Sequence, residues 1–145
     1  MSDKVLVAYG SKYGSTAEIA EAIGGVLREA GLDVDVLSAD AVGDLTAYRG
    51  VVLGSAVYAG MWRKEAVKLL ESQEAELAQR PVWLFSSGPT GEGDPVELLN
   101  GWRLPEAQQP VADRISPRDI AVFHGNIDTE KINLGEKLIV KAVKG

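Results

Sequence analysis

The chain contains no cysteine, and that absence removes disulfides, thiol nucleophiles and cysteine-ligated metals together. Histidine occurs once, at position 124, where a lone imidazole after a strand reads as structural rather than catalytic. No apolar run approaches the ~20 residues a membrane span requires. Nor is a signal peptide expected, because the N-terminus passes almost directly into the strand-like run Val5–Tyr9 without a cleavage-site pattern. Basic residues are in the minority, 15 against 21 acidic ones, and the net charge of −6 argues against nucleic acid as a partner while permitting docking on a basic protein. These features lead to the expectation of a soluble cytoplasmic protein.

What is present is an ordinary core-forming composition, 46% hydrophobic, in 145 residues, the size of a single domain covering 1–145. Strand, loop and helix signals alternate along it. Val5–Tyr9, Val51–Gly54, Val82–Phe85 and Asp119–Phe123 read as buried strands, and Asp33–Leu37 alternates as an outer strand does. Between them, Ala17–Ala30 carries Ile19, Ala20, Ile23, Val26, Leu27 and Ala30 on one helical face. A Ser15-x-x-Glu18 capping box is expected to start that helix and Gly31 to stop it. Lys64–Ala78 is predicted as a second helix, with Glu74 as a polar intruder on its apolar face. A short helix is expected at Asp44–Tyr48, and 95–114 is left ambiguous by Pro105 and Pro110. The alternation predicts an α/β three-layer, doubly wound sandwich with a five-stranded parallel sheet in order 2-1-3-4-5. In such sheets ligands bind beyond the carboxyl ends of the strands, here the loops 10–16, 55–62 and 86–94.

The first of these loops, Gly10-Ser-Lys-Tyr-Gly-Ser-Thr16, runs straight into a helix N-terminus. Free amides and the helix dipole make that end an anion site, with Ser11, Ser15 and Thr16 adding hydroxyls. Gly14 allows close backbone approach, and Lys12 either adds charge or is simply solvated. The plain alternative is that Ser15 only caps the helix. A Walker loop is excluded because Gly14 is not followed by lysine, and a dinucleotide fingerprint because only two glycines are present.

The loop resembles the flavodoxin phosphate signature, with Val7 in its aliphatic place, Tyr9 in the aromatic one, Ser11 as Ser/Thr, Gly14 as the small residue and Thr16 as the closing Thr. Ala8 departs from the bulkier residue expected at the second place. The resemblance implies a flavodoxin-like fold and noncovalent FMN, its phosphate held by Ser11, Lys12, Tyr13, Gly14, Ser15 and Thr16. It further implies that Ser55, Ala56, Val57, Tyr58, Ala59 and Gly60, together with Ser86, Ser87, Gly88, Pro89, Thr90 and Gly91, contact the isoalloxazine, Tyr58 being the stacking candidate. Trp62 either joins that contact or packs beneath the following helix; Trp83 reads as core, and Trp102 as a cover or a packing residue. Glu92 and Asp94 read as a solvated turn.

Within the family, Val51–Gly60, Ser86–Pro89, Phe123–Asp128 and Leu134–Lys144 resemble the flavodoxin-domain subgroup that includes menaquinone-dependent protoporphyrinogen IX dehydrogenase. That resemblance implies an FMN-dependent oxidoreductase linked to a quinone, with the tail meeting a membrane or acceptor. Leu134, Leu138 and Ile139 would form its apolar wall. The alternative is a noncatalytic electron carrier docking on a redox partner protein. The subgroup continues into a further turn and a last helix, whereas this sequence stops at Gly145. Either the sequence is truncated or that helix is lacking, and without it one face of the sheet would be exposed, which invites dimerisation. The plain alternative is that the tail from Thr129 to Gly145 itself replaces or precedes the sheet-covering helix.

Overall fold

The computed structural model describes residues 4–11, 14–58, 61–87, 105–123 and 127–144, with Ser15 and Tyr58 described by their backbone alone. Five strands, β1 (Lys4–Gly10), β2 (Asp33–Ser38), β3 (Gly50–Tyr58), β5 (Val82–Ser87) and β6 (Asp119–Phe123), form a parallel sheet in the order β2-β1-β3-β5-β6. This is the flavodoxin-like order expected from the sequence. One element is additional: β4 (Met61–Trp62) turns back antiparallel on β3, so the segment read as a loop is a hairpin with Val57 opposite Trp62 and Tyr58 opposite Met61.

Because side chains alternate across a strand, each central strand feeds two cores. Leu6, Ala8, Val51, Leu53 and Leu84 face a cluster completed by α2 (Lys64–Ser72), α3 (Glu74–Leu77) and α4 (Gln109–Ile115). Val5, Val7, Val52, Trp83 and Phe85 face the opposite one, built with α1 (Ser15–Glu29) and α5 (Thr129–Lys144). Two covered faces explain why β1, β3 and β5 are continuous apolar runs.

The helix ends differ in how well they follow the local signals. Helix α1 stops as expected: Gly31, at φ 94°, donates its N–H to Arg28 O at 2.9 Å, and Leu32 N–H reaches Leu27 O at 3.1 Å. This paired arrangement satisfies the last carbonyls of the helix. The capping box does not form. Gly14 is the N-cap, with φ 90° and no side-chain cap bond, so Ser15 is already the first helical residue and cannot act as a cap. The helix predicted over 64–78 breaks at Gln73, and Glu74 on α3 makes a paired contact with Arg114 of α4, both N···O distances 2.8 Å. That bidentate pair accounts for the polar residue on an apolar face. No helix forms at 44–48: the Asp44 carboxylate accepts Thr46 N–H at 2.9 Å and Leu45 O accepts Tyr48 N–H at 3.0 Å, closing a turn over the buried Leu45. Pro110 begins α4 rather than breaking it, since a first-turn residue needs no N–H.

The tail takes the plainer of the two forms expected of it, a helix that covers the sheet. Residues 129–144 are a 16-residue helix whose Ile132, Ile139 and Val143 lie in the α1-side core. The Asp128 carboxylate caps its start by accepting N–H bonds from Glu130 and Lys131 at 3.1 and 3.2 Å, and Lys144 Nζ donates to Ala30 O at the end of α1 at 2.9 Å. The face expected to be bare is covered, and the reason for expecting a dimer falls with it. No described helix is long and apolar enough to cross a membrane.

Candidate functional site

Strand register brings the sequence-predicted loops together. Gly10 of β1 is level with Ser55 of β3, Ser55 with Ser86 of β5, and Ser87 with both Ala56 and Phe123 of β6. The chain therefore leaves β1, β3 and β5 side by side at one end of the sheet.

At that end lies the N-terminus of α1, the segment expected from the sequence to bind an anion. Gly14 adopts a left-handed conformation, φ 90° and ψ −22°, which a β-carbon would strain. Its N–H donates to Ser11 Oγ at 3.0 Å, drawing the loop across the helix end. Intrahelical bonding begins with Glu18 N–H to Gly14 O at 3.0 Å, so the amides of Ser15, Thr16 and Ala17 keep the free first-turn position. The Thr16 side chain is fully buried, and its Oγ1 has no hydrogen-bond partner among the described residues. A buried hydroxyl left unpaired costs about 1–3 kcal/mol. An anionic oxygen at the helix end would supply the missing acceptor, and the Ser11 hydroxyl, which accepts from Gly14, still has its own hydrogen to donate. These groups fit the phosphate of FMN. Lys12 and Tyr13 lie outside the described residues, as does the Ser15 side chain.

On the ring side, the described residues form a frame rather than a row of free donors. Ser55 is fully buried; its Oγ accepts Arg63 N–H at 2.8 Å and donates to Ala56 O at 2.8 Å, closing the base of the β3–β4 hairpin. Ala56 and Val57 are buried in β3, and Ser87 is buried at the end of β5. Trp62 resolves towards packing: it is 4% exposed, belongs to the α2-side core, and donates its indole N–H to the buried Ser86 Oγ at 2.9 Å. Beside it Met61 is 64% exposed. Trp83 is core, as expected. Tyr58 ends β3 opposite Met61. Ala59, Gly60, Gly88, Pro89, Thr90 and Gly91 lie outside the described residues, and so do Glu92, Asp94, Trp102 and His124.

Sequence reasoning missed the Trp62–Ser86 and Ser55–Arg63 contacts. A signal existed: Ala59-Gly60 between the apolar pairs Val57-Tyr58 and Met61-Trp62 is a two-residue turn pattern with glycine.

The family described as flavodoxin domain matches residues 6–145. Among curated proteins no sequence relative matches significantly. Similar solved structures include a flavodoxin from the domain Archaea, 18% identical with a TM-score of 0.72 over 97% of this chain and 96% of that one. The two-electron reduced flavodoxin of Megasphaera elsdenii is 20% identical, TM-score 0.71, over 97% and 99%. The rubredoxin oxygen:oxidoreductase of Desulfovibrio gigas is 14% identical, TM-score 0.69, over 99% of this chain but 36% of that one. At these identities the likeness is one of fold.

Proposed function

Since the chain belongs to the flavodoxin domain family and takes its cofactor FMN, we propose that it is an electron carrier that exchanges electrons with a redox partner protein. Bound FMN supplies the one- and two-electron chemistry. The chain's own residues bind and orient it. Ser11, Thr16 and the first amides of α1 would hold the phosphate, and the ends of β3 and β5, at Ser55–Val57 and Ser86–Ser87, would border the ring. Ser55 and Ser86 act by fixing the frame, because their hydroxyls engage Arg63 and Trp62.

The observation that carries the carrier reading is the placement of 129–144. Of the two roles the sequence offered this segment, a substrate or quinone wall or a sheet-covering helix, its packing supports the second, with Ile139 fully buried in the core. A second reading, the quinone- or protoporphyrinogen-linked oxidoreductase, draws support from the subgroup resemblance and from Leu134, which is 54% exposed on α5 and available to a quinone or membrane surface.

The deciding experiment uses the purified FMN-loaded protein in two assays. A carrier accepts electrons from an NADPH-dependent flavoprotein reductase and passes them to cytochrome c, and does not turn over menaquinone or protoporphyrinogen by itself. Turnover of either compound, abolished by Leu134→Lys with FMN still bound, would establish the enzyme reading instead. Heat release of the cofactor followed by chromatography checks its identity. Recovery of FAD, or failure to take up FMN in excess, would sink both.

A further inference from the structure

The β3–β4 hairpin is held at three points. Its base is closed by Ser55 Oγ accepting Arg63 N–H, its arms pair at Val57–Trp62 and Tyr58–Met61, and its side is tied to the neighbouring strand by Trp62 Nε1–H donating to Ser86 Oγ at 2.9 Å. A two-stranded hairpin with two residue pairs is marginal by itself. The ladder between β3 and β5 ends at Ala56–Ser87, so the returning arm β4 reaches β5 through this lateral tie, made inside the core between a tryptophan 4% exposed and a fully buried serine.

The location of this tie is particular. Ser86 lies one residue before the end of β5, level with Ser55, at the end of the sheet where both ring segments leave it. Trp62 immediately follows Met61, the partner of Tyr58. Beyond the ladder that pairs Ser55 with Ser86 and Ala56 with Ser87, the bond adds a link from β4 to the end of β5, between residues 24 apart in sequence. A bound plate between two loops keeps its contacts only while the loops stay within about half an ångström of their productive separation.

We propose that Trp62 is a positioning residue for the flavin ring, coupling the hairpin to β5 through Ser86 so that the two ring segments act as one jaw. The proposal rests on FMN binding and is indifferent to whether the protein is a carrier or an enzyme. Trp62 acts from beneath, through the backbone it anchors. Removing the serine hydroxyl leaves a buried indole N–H unpaired, and removing the indole N–H frees the hairpin from β5 at this point.

The test compares Trp62→Phe, Ser86→Ala and the double variant with the unmodified protein. FMN and riboflavin, which share the ring and differ in the phosphate, are titrated against each full-length apoprotein at a temperature where thermal melting shows it folded. The midpoint potential of each FMN complex is also recorded. Each single variant is expected to weaken FMN and riboflavin alike, by about fivefold to tenfold, and to shift the midpoint potential. The double variant is expected to be weakened less than the product of the two single effects, because both substitutions remove the Trp62–Ser86 bond. Should Trp62→Phe unfold, Ser86→Ala carries the same expectation. Unchanged ligand affinities with a lowered melting temperature would overturn the proposal, leaving Trp62 as core packing. Loss of FMN with riboflavin unaffected would also overturn it, since the effect would then run through the phosphate loop. An unmodified protein that binds neither ligand would remove FMN binding itself, and the proposal with it.

Discussion

Gly135 of α5 lies against the indole of Trp83 so closely that a β-carbon at 135 would sit 2.0 Å from the ring. This contact lets a 16-residue helix settle on the sheet, with Ile132, Ile139 and Val143 buried beside it. Glycine inside a helix costs about 1 kcal/mol relative to alanine. Here the close approach of backbone to ring offsets that cost.

Gly135→Ala is therefore expected to destabilise the protein despite its better helix propensity. Overpacking of this kind costs ~1–3 kcal/mol. Urea unfolding measures it, and Trp83→Leu in the same chain should recover part of the loss by opening space. A Gly135→Ala protein more stable than the parent would mean that α5 does not rest on Trp83.

Thr16→Val should separate stability from cofactor binding. The substitution removes a buried hydroxyl without a partner among the described residues, so the apoprotein should gain ~1 kcal/mol. FMN should bind at least tenfold more weakly, with riboflavin nearly unchanged. Calorimetric melting of the apoprotein and flavin fluorescence titration test the two halves. A valine variant that is less stable and binds FMN normally would place the hydroxyl in the fold and not at the phosphate.

Combining Thr16→Ala with Ser11→Ala extends the same comparison. Each lost bond to a charged phosphate should cost ~1.5–3 kcal/mol of FMN binding. Equal losses for FMN and riboflavin would show that neither hydroxyl faces the phosphate.

A pH dependence follows from the tie between β2 and the 45–48 turn. Tyr48 Oη donates to Asp35 Oδ2 at 2.7 Å, and Lys4 Nζ lies 3.2 Å from the same oxygen. The Tyr48 hydrogen bond, helped by Lys4 and opposed by partial burial, holds the Asp35 carboxyl below its ordinary 3.8. Burial, reinforced by Asp35, pushes Tyr48 up to about 12. The carboxylate's contribution is present above its unfolded pKa and fades as pH falls through the lowered folded value. The phenol's is present below its unfolded pKa and is lost as pH rises through about 12. Asp35 is more than a third exposed, so screening limits the whole tie to about 1 kcal/mol. Tyr48→Phe should lose that amount evenly between about pH 5 and 9, and the gap to the parent should narrow below about 4 and above about 10. Urea midpoints across pH provide the check. A constant gap throughout would show that the pair does not couple.

Much of the fold was legible because its signals are local. Val5–Tyr9, Val51–Gly54 and Val82–Phe85 are apolar throughout since both sheet faces are covered, and Gly31 marks its helix end by a conformation glycine accepts. Two of the misreadings depended on a partner far along the chain, while those at Ser15 and 44–48 were local, decided by Gly14 as N-cap and by the Asp44 carboxylate on Thr46 N–H. Glu74 looked anomalous until Arg114, forty residues later, paired with it. The tail seemed surplus because the role of Gly135 is invisible without Trp83. The hairpin was taken for a loop, although Ala59-Gly60 carried a turn signal.

By itself the sequence determined the alternation of strands and helices, and with it the parallel order and the loop that leads from β1 into the N-terminus of α1, because each rests on contiguous residues obeying local geometry. Tertiary structure alone decided that Gly10, Ser55 and Ser86 share one register at the end of the sheet, that Trp62 is anchored on Ser86, and that α5 covers the sheet beside α1. Those outcomes depend on strand register and on close packing between residues tens of positions apart. Periodicity constrains which face a side chain takes, while only the packed core selects its neighbour.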